Sequence, residues 1–434
     1  MRVNDRSIER VIAFEALDSR GTPTVACAIV LAGGTEACAI VPSGASTGRH
    51  EAQERRDGGE RYGGRGVRAA VAAVNGEIAA LLRGRDAADQ AVIDAALRDL
   101  DGTPALARLG GNAVLAASVA CALAAAAAAR EPLWRLLAPT TTPLLPLPMV
   151  NVLSGGAHAG RAVDVQDVLV IPVAATTFAE AIEHAALVRA GAAAELQARG
   201  HGTALVADEG GLAAPLESNE EALEVVSRGI ERAGIDAALA LDVAATQLAD
   251  GNGYRLARED RRLDGAALAR EMVGWAQRYP LVSIEDPLGE DDWDGWRLVT
   301  ELLGESLQLL GDDLFATSTE RLAHGISTGV ANAVLVKPNQ AGTLSDARAA
   351  LDLAHREGYA TVVSARSGDT EDAWLADLAV GWRAGQIKVG STQRSERTAK
   401  WNRLLRIEAE HPGAELAPWR VAQPRPAASP GGAS

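Results

Sequence analysis

The feature that most constrains this chain is a repeated alternation of short apolar runs with amphipathic helical stretches. It begins after the proline-marked segment TTTPLLPLPMV. The apolar runs are DVLVIPV, TALVADEG, ALALDVA, LVSIED, LQLLGDD, AVLVK, ATVVSAR and QIKVG. Runs of this length are typical of buried strands, and recurrent strand–helix units favour a parallel α/β barrel with its helices outside.

The first 140 residues are organised differently. Two strand-like runs at 24–31 and 36–41 are followed by a Gly/Ser loop and by helical stretches that end in an alanine-rich helix. With 434 residues the chain exceeds what one hydrophobic core usually serves, so we expect two domains. The sequence predicts a small α+β domain at 1–140, a barrel at 141–420 and a disordered Pro/Gly/Ala/Ser-rich tail at 421–434.

Charge and hydropathy narrow the class of protein. Asp and Glu number 57 against 42 Lys and Arg, a net charge of -15, which argues against nucleic acid or anionic lipid as partners. The start, MRVNDRSIER, lacks the apolar segment of a secretory signal, so we expect a cytoplasmic protein.

The uncharged run at 112–129 is short and alanine-rich, which favours a helix buried between domains over a membrane span. Cys27, Cys38 and Cys121 lack metal-ligand spacing and are expected to be small buried hydrophobes.

Lysine is used sparingly in this chain. Only three of the 42 basic residues are lysine, at positions 337, 388 and 400. A lysine can lose its proton when its surroundings lower its pKa, whereas an arginine effectively cannot. Lys337 and Lys388 each end an apolar run and are therefore candidates for chemistry, while Lys400 is expected to be an exposed, structural helical residue.

Ionisable residues follow the apolar runs with unusual regularity. The side chains read from the strand ends are Glu209, Asp242, Glu285, Asp312, Lys337, Arg366 and Lys388. In a parallel barrel these ends converge on the face that carries the active site. Asp242, Glu285 and Asp312 would repel each other without a cation between them, and Mg²⁺ prefers such hard oxygen ligands. The sequence therefore predicts a magnesium site.

Motifs along the chain carry a resemblance to a known family. They are LDSRGTPTV, VPSGASTG, ADEGG, SIEDPLGEDDWDGW, GDDLF, VKPNQAGTLSDA, SARSGDTEDAWLADLAVG and GQIKVG followed by RSERTAKWNRLLRIE. In this order, and over nearly the whole chain, they resemble the enolase family. The resemblance implies an α/β protein with an N-terminal α+β domain and a C-terminal TIM barrel with modified first units. It also implies a carbon–oxygen lyase, two Mg²⁺ ions per active site, and a homodimer or higher homo-oligomer.

The resemblance assigns the proton-transfer and metal residues one by one. The family's metal ligands match Asp242, Glu285 and Asp312. Its mobile-loop serine, which helps bind the second Mg²⁺, matches Ser46. Lys337 matches the general base that removes the proton next to the carboxylate. Lys388 matches the lysine that, with the metals, holds that carboxylate while its charge increases.

The resemblance also assigns the leaving-group side of the site. Glu209 matches the acid that helps the β-hydroxyl leave. Arg366 and Ser367 match the phosphate-binding pair. His158 matches the histidine of a mobile loop that closes over the substrate.

The chain departs from the family pattern at several of these positions. Ala365 stands where the family has histidine, in a run that reads SARSG instead of Ser-His-Arg-Ser-Gly. The family's Gln-Glu pair is Gln166 and Asp167, so a catalytic carboxylate is one methylene shorter. Ser154 replaces the asparagine before the two loop glycines, and Arg161 falls in the same loop. If the space at Ala365 holds a substrate carboxylate, Arg161 is the candidate partner for its charge.

These departures leave several functions open. The sequence alone favours a specialised dehydratase for a substrate bulkier than 2-phosphoglycerate, such as a carboxyphosphono-glycerate, as in carboxyphosphonoenolpyruvate synthases of phosphonate biosynthesis. The alternatives are ordinary glycolytic enolase, which makes phosphoenolpyruvate from 2-phosphoglycerate, and a weakened or non-catalytic protein that keeps the barrel as a scaffold. In the two catalytic cases the expected partner is a small phosphorylated or phosphonylated carboxylate.

Overall fold

The computed structural model describes residues 5–44, 48–138 and 142–422. The chain opens with a three-stranded antiparallel sheet in the order β1 (Ile8–Leu17), β2 (Pro23–Leu31) and β3 (Glu36–Ile40). Sequence analysis identified β2 and β3 and missed β1, whose charged residues interrupt the apolar pattern. Buried Val11 and Ala13 in β1 alternate with exposed Ile12 and Phe14, as expected for a strand with one face on the core.

Helices complete the N-terminal part. They are α1 (Arg68–Ala73), α2 (Ala79–Leu82), α3 (Gln90–Asp101), α4 (Gly111–Ala129) and α5 (Leu133–Leu137), with a π-helical segment (Val74–Ile78) between α1 and α2. Within the described ranges, α4 is the one helix long and apolar enough to cross a membrane, and 78% of that window is buried inside the protein.

An eight-stranded closed barrel follows. Its strands are β5 (Leu147–Ser154), β6 (Asp167–Ile171), β7 (Ala238–Asp242), β11 (Leu281–Glu285), β12 (Gln308–Gly311), β13 (Ala333–Val336), β14 (Ala360–Ser364) and β15 (Gln386–Gly390). The short strands outside the barrel are β4 (Leu144–Leu145), β8 (Ala249–Asp250), β9 (Gly253–Leu256), β10 (Arg261–Leu263) and β16 (Glu415–Leu416). The predicted fold class, an α+β domain followed by a modified TIM barrel, is confirmed.

The barrel is not wholly parallel. β6 runs antiparallel to both β5 and β7, whereas the other neighbouring pairs are parallel. DVLVIPV was expected to be one more parallel strand, and that expectation is wrong. Reversal brings the first residue of β6, Asp167, to the end of the barrel where the parallel strands finish.

The run TALVADEG is not a strand either. Residues 203–209 form a loop after a barrel helix, with an isolated bridge between Val206 and Leu212. Glu209 therefore reaches the site from a loop and not from a strand end, which corrects its predicted setting.

The barrel helices are α6 (Phe178–Ala198), α7 (Asn219–Ala233), α8 (Gly265–Arg278), α9 (Trp293–Leu303), α10 (Thr319–Thr328), α11 (Pro338–Ala341), α12 (Leu344–Glu357), α13 (Trp374–Gly381) and α14 (Ser395–Glu410). Six of them begin after a capping side chain that accepts a hydrogen bond from the N–H three residues later. The caps are Thr177, Ser218, Asp264, Asp292, Ser318 and Thr343. Each such cap stabilises a helix start by about 1 kcal/mol.

The apolar helix α4 lies between the two parts of the chain. It packs against β2 and β3 on one side and against α11 and α12 of the barrel on the other. The prediction of a helix buried between domains is confirmed.

Candidate active site

One cavity, at the carboxyl ends of the parallel barrel strands, collects most of the predicted site residues. Its free volume is about 40 Å³. The predicted residues that line it are His158, Gln166, Glu209, Asp242, Asp312, Lys337, Ala365, Arg366, Ser367 and Lys388. Asp167 and Glu285 are buried against lining residues. Ser46 lies outside the described residues.

The carboxylates of Asp242 and Glu285 converge on Lys388. These acids end the paired strands β7 and β11, where they are register partners. Lys388 Nζ lies 2.6 Å from Asp242 Oδ2 and 2.6 Å from Glu285 Oε2. Burial and the neighbouring Asp242 charge raise the pKa of Glu285 well above its ordinary value. Burial alone would lower the pKa of Lys388, but the two carboxylates raise it well above its usual range.

Lys337 is paired with the third carboxylate. Its Nζ forms an ion pair with Asp312 Oδ2, while Asp312 Oδ1 accepts a hydrogen bond from Gln340 Nε2 at 2.9 Å. Burial disfavours the ammonium, yet the charge of Asp312 outweighs burial and raises the pKa of Lys337. When no other cation is bound to Asp312, Lys337 is therefore protonated. It can act as a base only when another positive charge takes its place beside Asp312.

These buried carboxylates fit a divalent cation. Their oxygens are hard ligands, and each is held in place by an ammonium or amide donor. Burial raises the pKa of Glu285 most, and the charge of Asp242 raises it further, so a cation bound here would stabilise the ionised form of Glu285. A second acidic group, comprising Asp286, Asp312 and Asp313, has oxygens within 4.8 Å of one another.

His158 lies between two acids, Asp167 and Glu209. Its Nδ1 lies 2.9 Å from Asp167 Oδ2, and its Nε2 lies 3.9 Å from Glu209 Oε1. Burial would lower the pKa of His158, but Asp167 and Glu209 raise it to about 9. Burial would raise the pKa of Glu209, and the charges of His158 and Arg397 lower it instead. At neutral pH the proton of this group therefore resides on His158, beside an ionised Glu209.

Asp167 is oriented by polar neighbours. Its Oδ1 accepts hydrogen bonds from Ser154 Oγ at 2.8 Å and from Asn151 Nδ2. Ser154, one of the departures from the family pattern, therefore binds the shortened carboxylate directly. Burial is the main cause that raises the pKa of Asp167.

The predicted phosphate-binding pair lies at the end of β14. Arg366 Nη1 donates to Glu51 Oε2 at 2.7 Å and to Asn339 Oδ1 at 3.3 Å. The pKa of Arg366 is raised because the charge of Glu51 outweighs burial. Arg366 and Ser367 are 5% and 6% exposed, so a bound anion would meet them largely away from water, where charge-assisted hydrogen bonds are strong.

Sequence analysis missed Asp286 and Asp313, which line the cavity beside the predicted metal ligands, and three further residues away from the strand ends. Glu51 comes from the N-terminal part and binds Arg366. Gln247 donates to Gln166 Oε1 at 2.8 Å, and Gln166 in turn donates to Asp242 Oδ2 at 3.0 Å. Arg397 lies 3.8 Å from Glu209 Oε1. None of these three follows a strand, which was the signal used to find candidates.

Ala365 separates the main cavity from a smaller one. Ser364 and Ala365 line both, and the side cavity has a free volume of about 10 Å³. Trp374, Asp369 and Asp372 are among its other lining residues. The indole Nε1 of Trp374 is buried and has no hydrogen-bond partner among the described residues.

Arg161 and Lys400 do not lie where the sequence suggested. Arg161 is exposed, with φ of 59°, and is absent from the cavity lining. Lys400 is 1% exposed instead of lying on the surface, and its Nζ donates to Asp369 Oδ1 at 2.6 Å and to the carbonyl of Thr370.

Among the cysteines, Cys27 and Cys121 are buried, as predicted. Cys38 is exposed, because it lies on the outer face of β3.

Comparisons with known proteins agree with this geometry. Residues 8–137 match the family model "Enolase, N-terminal domain", and residues 142–419 match "Enolase, C-terminal TIM barrel domain". The enolase of Sulfurimonas denitrificans is 49% identical over 407 residues, which cover 93% of this chain and 96% of that protein.

Proposed function

Because this chain belongs to the enolase family and is a carbon–oxygen lyase, we propose that it dehydrates 2-phosphoglycerate to phosphoenolpyruvate. The observation that carries the proposal is the convergence of two chemically opposite groups in one cavity. Lys337 is paired with Asp312, and Lys388 is paired with Asp242 and Glu285. His158, Asp167 and Glu209 form a separate cluster, and members of both groups line the same cavity. Two such groups suit removal of a proton by the first and assistance to a leaving hydroxyl by the second.

Residue roles follow from these positions. Lys337 takes the proton at C2, which requires its neutral form, and Lys388 binds the substrate carboxylate as its negative charge grows. Glu209 is hydrogen-bonded to the departing β-hydroxyl. His158, protonated and 3.9 Å from Glu209, supplies through Glu209 the proton with which the hydroxyl leaves as water. Arg366 and Ser367 bind the phosphate, so the substrate lies across the cavity between the two groups.

The cofactor that suits this site is Mg²⁺, two ions per site, as the family uses. Asp242, Glu285 and Asp312 would hold the first ion, with Ser46 helping to hold the second. When bound, Mg²⁺ supplies positive charge that stabilises the substrate carboxylate as a second negative charge develops on it.

A specialised substrate is the second candidate, supported by the side cavity behind Ala365. Trp374 Nε1 is a donor without a partner among the described residues at this cavity. The free volume of about 10 Å³ is roughly what one water needs, so a larger group enters only if the lining side chains move. Two observations oppose the carboxyphosphono form of this idea. Arg161 lies outside the cavity, and the side cavity is lined by Asp369, Asp372 and Lys400, of which Lys400 is already paired with Asp369, so a second anion is disfavoured. The 49% identity to an enolase over nearly the whole chain also favours 2-phosphoglycerate.

A homodimer remains part of the proposal. β1 exposes Ile12, Phe14 and Leu17 at 40%, 48% and 52%, which is apolar surface available for a second copy. Light scattering of the purified protein tests this point, and a monomeric mass at micromolar concentration would reject it.

The function itself is tested by direct turnover. The purified protein with Mg²⁺ is given 2-phosphoglycerate, and formation of phosphoenolpyruvate is followed by absorbance. We expect kcat/KM in the ordinary enzyme range, above about 10⁴ M⁻¹s⁻¹. Weak turnover of 2-phosphoglycerate with efficient turnover of a carboxyphosphono-glycerate would replace the first candidate with the second.

A further inference from the structure

Arg397 is a fully buried arginine in the first turn of α14. Its relative exposure is 0%. A buried guanidinium is costly unless hydrogen bonds and opposite charge compensate for its lost hydration. Its partners therefore indicate what the protein gains from holding a charge at this position.

The guanidinium binds the backbone of two site segments. Nη1 donates to the carbonyls of Arg366 at 2.8 Å and Val389 at 2.9 Å, and Nη2 donates to the carbonyl of Ser367 at 2.6 Å. The first segment is the phosphate-binding pair after β14, and the second adjoins Lys388 in β15. The planar guanidinium of Arg397 therefore fixes the segment after β14 relative to the neighbouring strand β15.

The Arg397 side chain also lies close to Glu209, the residue proposed to assist the leaving hydroxyl. Glu209 Oε1 lies 3.8 Å from Nη1, and Glu396 Oε1 lies 3.5 Å from Nε. Both distances exceed those to the carbonyls, so the positive charge is only partly neutralised and acts on Glu209 across the gap. Burial would raise the pKa of Glu209, and Arg397 is among the charges that lower it.

Backbone packing ties Glu209 to Arg397 a second time. Ser391 N donates to the Glu209 carbonyl at 2.8 Å. A Cβ atom on Gly390, whose φ is +115°, would lie 2.8 Å from that carbonyl and 2.9 Å from Arg397 Cδ. Glycine is therefore required where the Glu209 loop meets the arginine.

We propose that Arg397 is a positioning residue that sets the distance between Glu209, at the leaving hydroxyl, and Arg366 with Ser367, at the phosphate. The proposal rests on the proposed function, since it uses the roles given there to these three residues. Lysine cannot replace the arginine, because one ammonium cannot bind carbonyls on two segments and still face Glu209 with the same geometry.

The prediction is a selective loss of the elimination step. Arg397 contacts the groups that hold the phosphate and assist the hydroxyl. Its contact beside Lys388 is to the Val389 carbonyl, whereas the ammonium of Lys388 is held by Asp242 and Glu285, and that of Lys337 by Asp312. Exchange of the C2 proton with solvent should therefore survive better than net dehydration. A displacement of about 1 Å in a catalytic group can reduce the rate about a hundredfold.

The experiment compares the full-length enzyme with Arg397→Lys and Arg397→Met, and with Arg406→Met as the control. Arg406 is in the same helix, exposed and paired only with Glu410 among the contacts described for it. At saturating 2-phosphoglycerate and Mg²⁺, deuterium exchange at C2 and formation of phosphoenolpyruvate are measured together. We expect both Arg397 variants to lose about a hundredfold in kcat for dehydration, with a smaller loss of exchange, and Arg406→Met to match the parent.

Each other outcome has a definite meaning. Equal losses of exchange and dehydration would overturn the proposal, since they indicate a general structural role, and parent-like kinetics would overturn it too. If Arg397→Met does not fold, as judged by circular dichroism, Arg397→Lys carries the test because it keeps the buried charge. Failure of the parent itself to turn over 2-phosphoglycerate would refute the proposed function, which is a distinguishable result.

Discussion

Asp167 and Asp242 face each other as register partners at one end of the neighbouring strands β6 and β7. The pairing exists because β6 is antiparallel, so the start of one strand meets the end of the other. The carboxylate of Asp167 contacts His158, and that of Asp242 accepts hydrogen bonds from Lys388 and Gln166. One strand pair thus supplies a residue to the His158–Glu209 group and a residue to the Lys388 group.

The first prediction concerns the charge of His158. Its pKa is raised to about 9 in the folded protein, against about 6.5 when unfolded, because Asp167 and Glu209 outweigh burial. A raised pKa of this kind stabilises the fold fully below pH 6.5, and the stabilisation is lost as pH rises from 6.5 to 9. Asp167→Asn removes one of the two charges, so we expect the variant to be less stable relative to the parent at pH 6 than at pH 9.5.

Urea unfolding of the metal-free parent and variant at both pH values measures this difference. Glu183→Gln is a surface control for the loss of one acidic charge, and it should show no such pH dependence. A difference between parent and Asp167→Asn that is the same at pH 6 and pH 9.5 would contradict the assigned His158–Asp167 pair.

Much of the site could be predicted because parallel strands end on one face. The residues Asp242, Glu285, Asp312, Lys337 and Lys388 each follow an apolar run, and the fold brings them together there. Strand burial and strand direction are the only inputs this inference needs. Glu209 was also read as a strand-end residue, although its run is a loop in the structure. The family resemblance added His158 and Ser46, which position along the chain alone would not assign.

Other features of the fold and site could not be predicted, because they depend on tertiary contacts that the order of residues along the chain does not reveal. The reversal of β6 leaves no mark in DVLVIPV, since a buried strand is apolar whichever way it runs. Lys400 lies in a polar-looking helix, and only the tertiary position of Asp369 explains its burial. Arg161 is close in sequence to the site, yet its loop directs it to solvent.

The second prediction is an absolute requirement for Mg²⁺. Without a cation, Lys337 stays paired with Asp312 and protonated, so it cannot accept the C2 proton. We expect EDTA to abolish formation of phosphoenolpyruvate and added Mg²⁺ to restore it. Full activity in excess EDTA would remove the proposed role of the three carboxylates.

The third prediction separates charge from basicity at Lys337. Lys337→Arg keeps a cation beside Asp312 but cannot lose its proton at neutral pH. Deuterium exchange at C2 should fall by a factor of about 10² to 10⁴, while Mg²⁺ binding measured by calorimetry changes little. Exchange at the parent rate would show that another residue is the base.

The fourth prediction concerns stability at Lys400. Lys400→Met leaves the carboxylate of Asp369 buried without its 2.6 Å partner, and breaking such a pair costs about 3 to 5 kcal/mol of unfolding free energy. The double variant Lys400→Met with Asp369→Leu should recover part of this loss, because no buried charge remains. Thermal and urea unfolding check both, with Arg406→Met as a same-helix control; a loss below about 1 kcal/mol in Lys400→Met would mean that the pair is solvated.

The last prediction decides between the two substrates. Ala365 is the wall shared by the main and side cavities, so Ala365→His should fill the space toward Trp374 and exclude a larger phosphorus-side group. We expect the parent to prefer 2-phosphoglycerate over a carboxyphosphono-glycerate, and Ala365→His to lower kcat/KM for the larger substrate by about tenfold or more while changing that for 2-phosphoglycerate by about threefold at most. Arg161→Ala should change neither, because its side chain is exposed and does not line the cavity. The measurement is kcat/KM for both substrates in the three proteins. A parent that prefers the larger substrate, together with a loss of that preference in Arg161→Ala, would mean that the loop closes over the substrate with Arg161 inside, and the specialised function would then replace ordinary enolase activity.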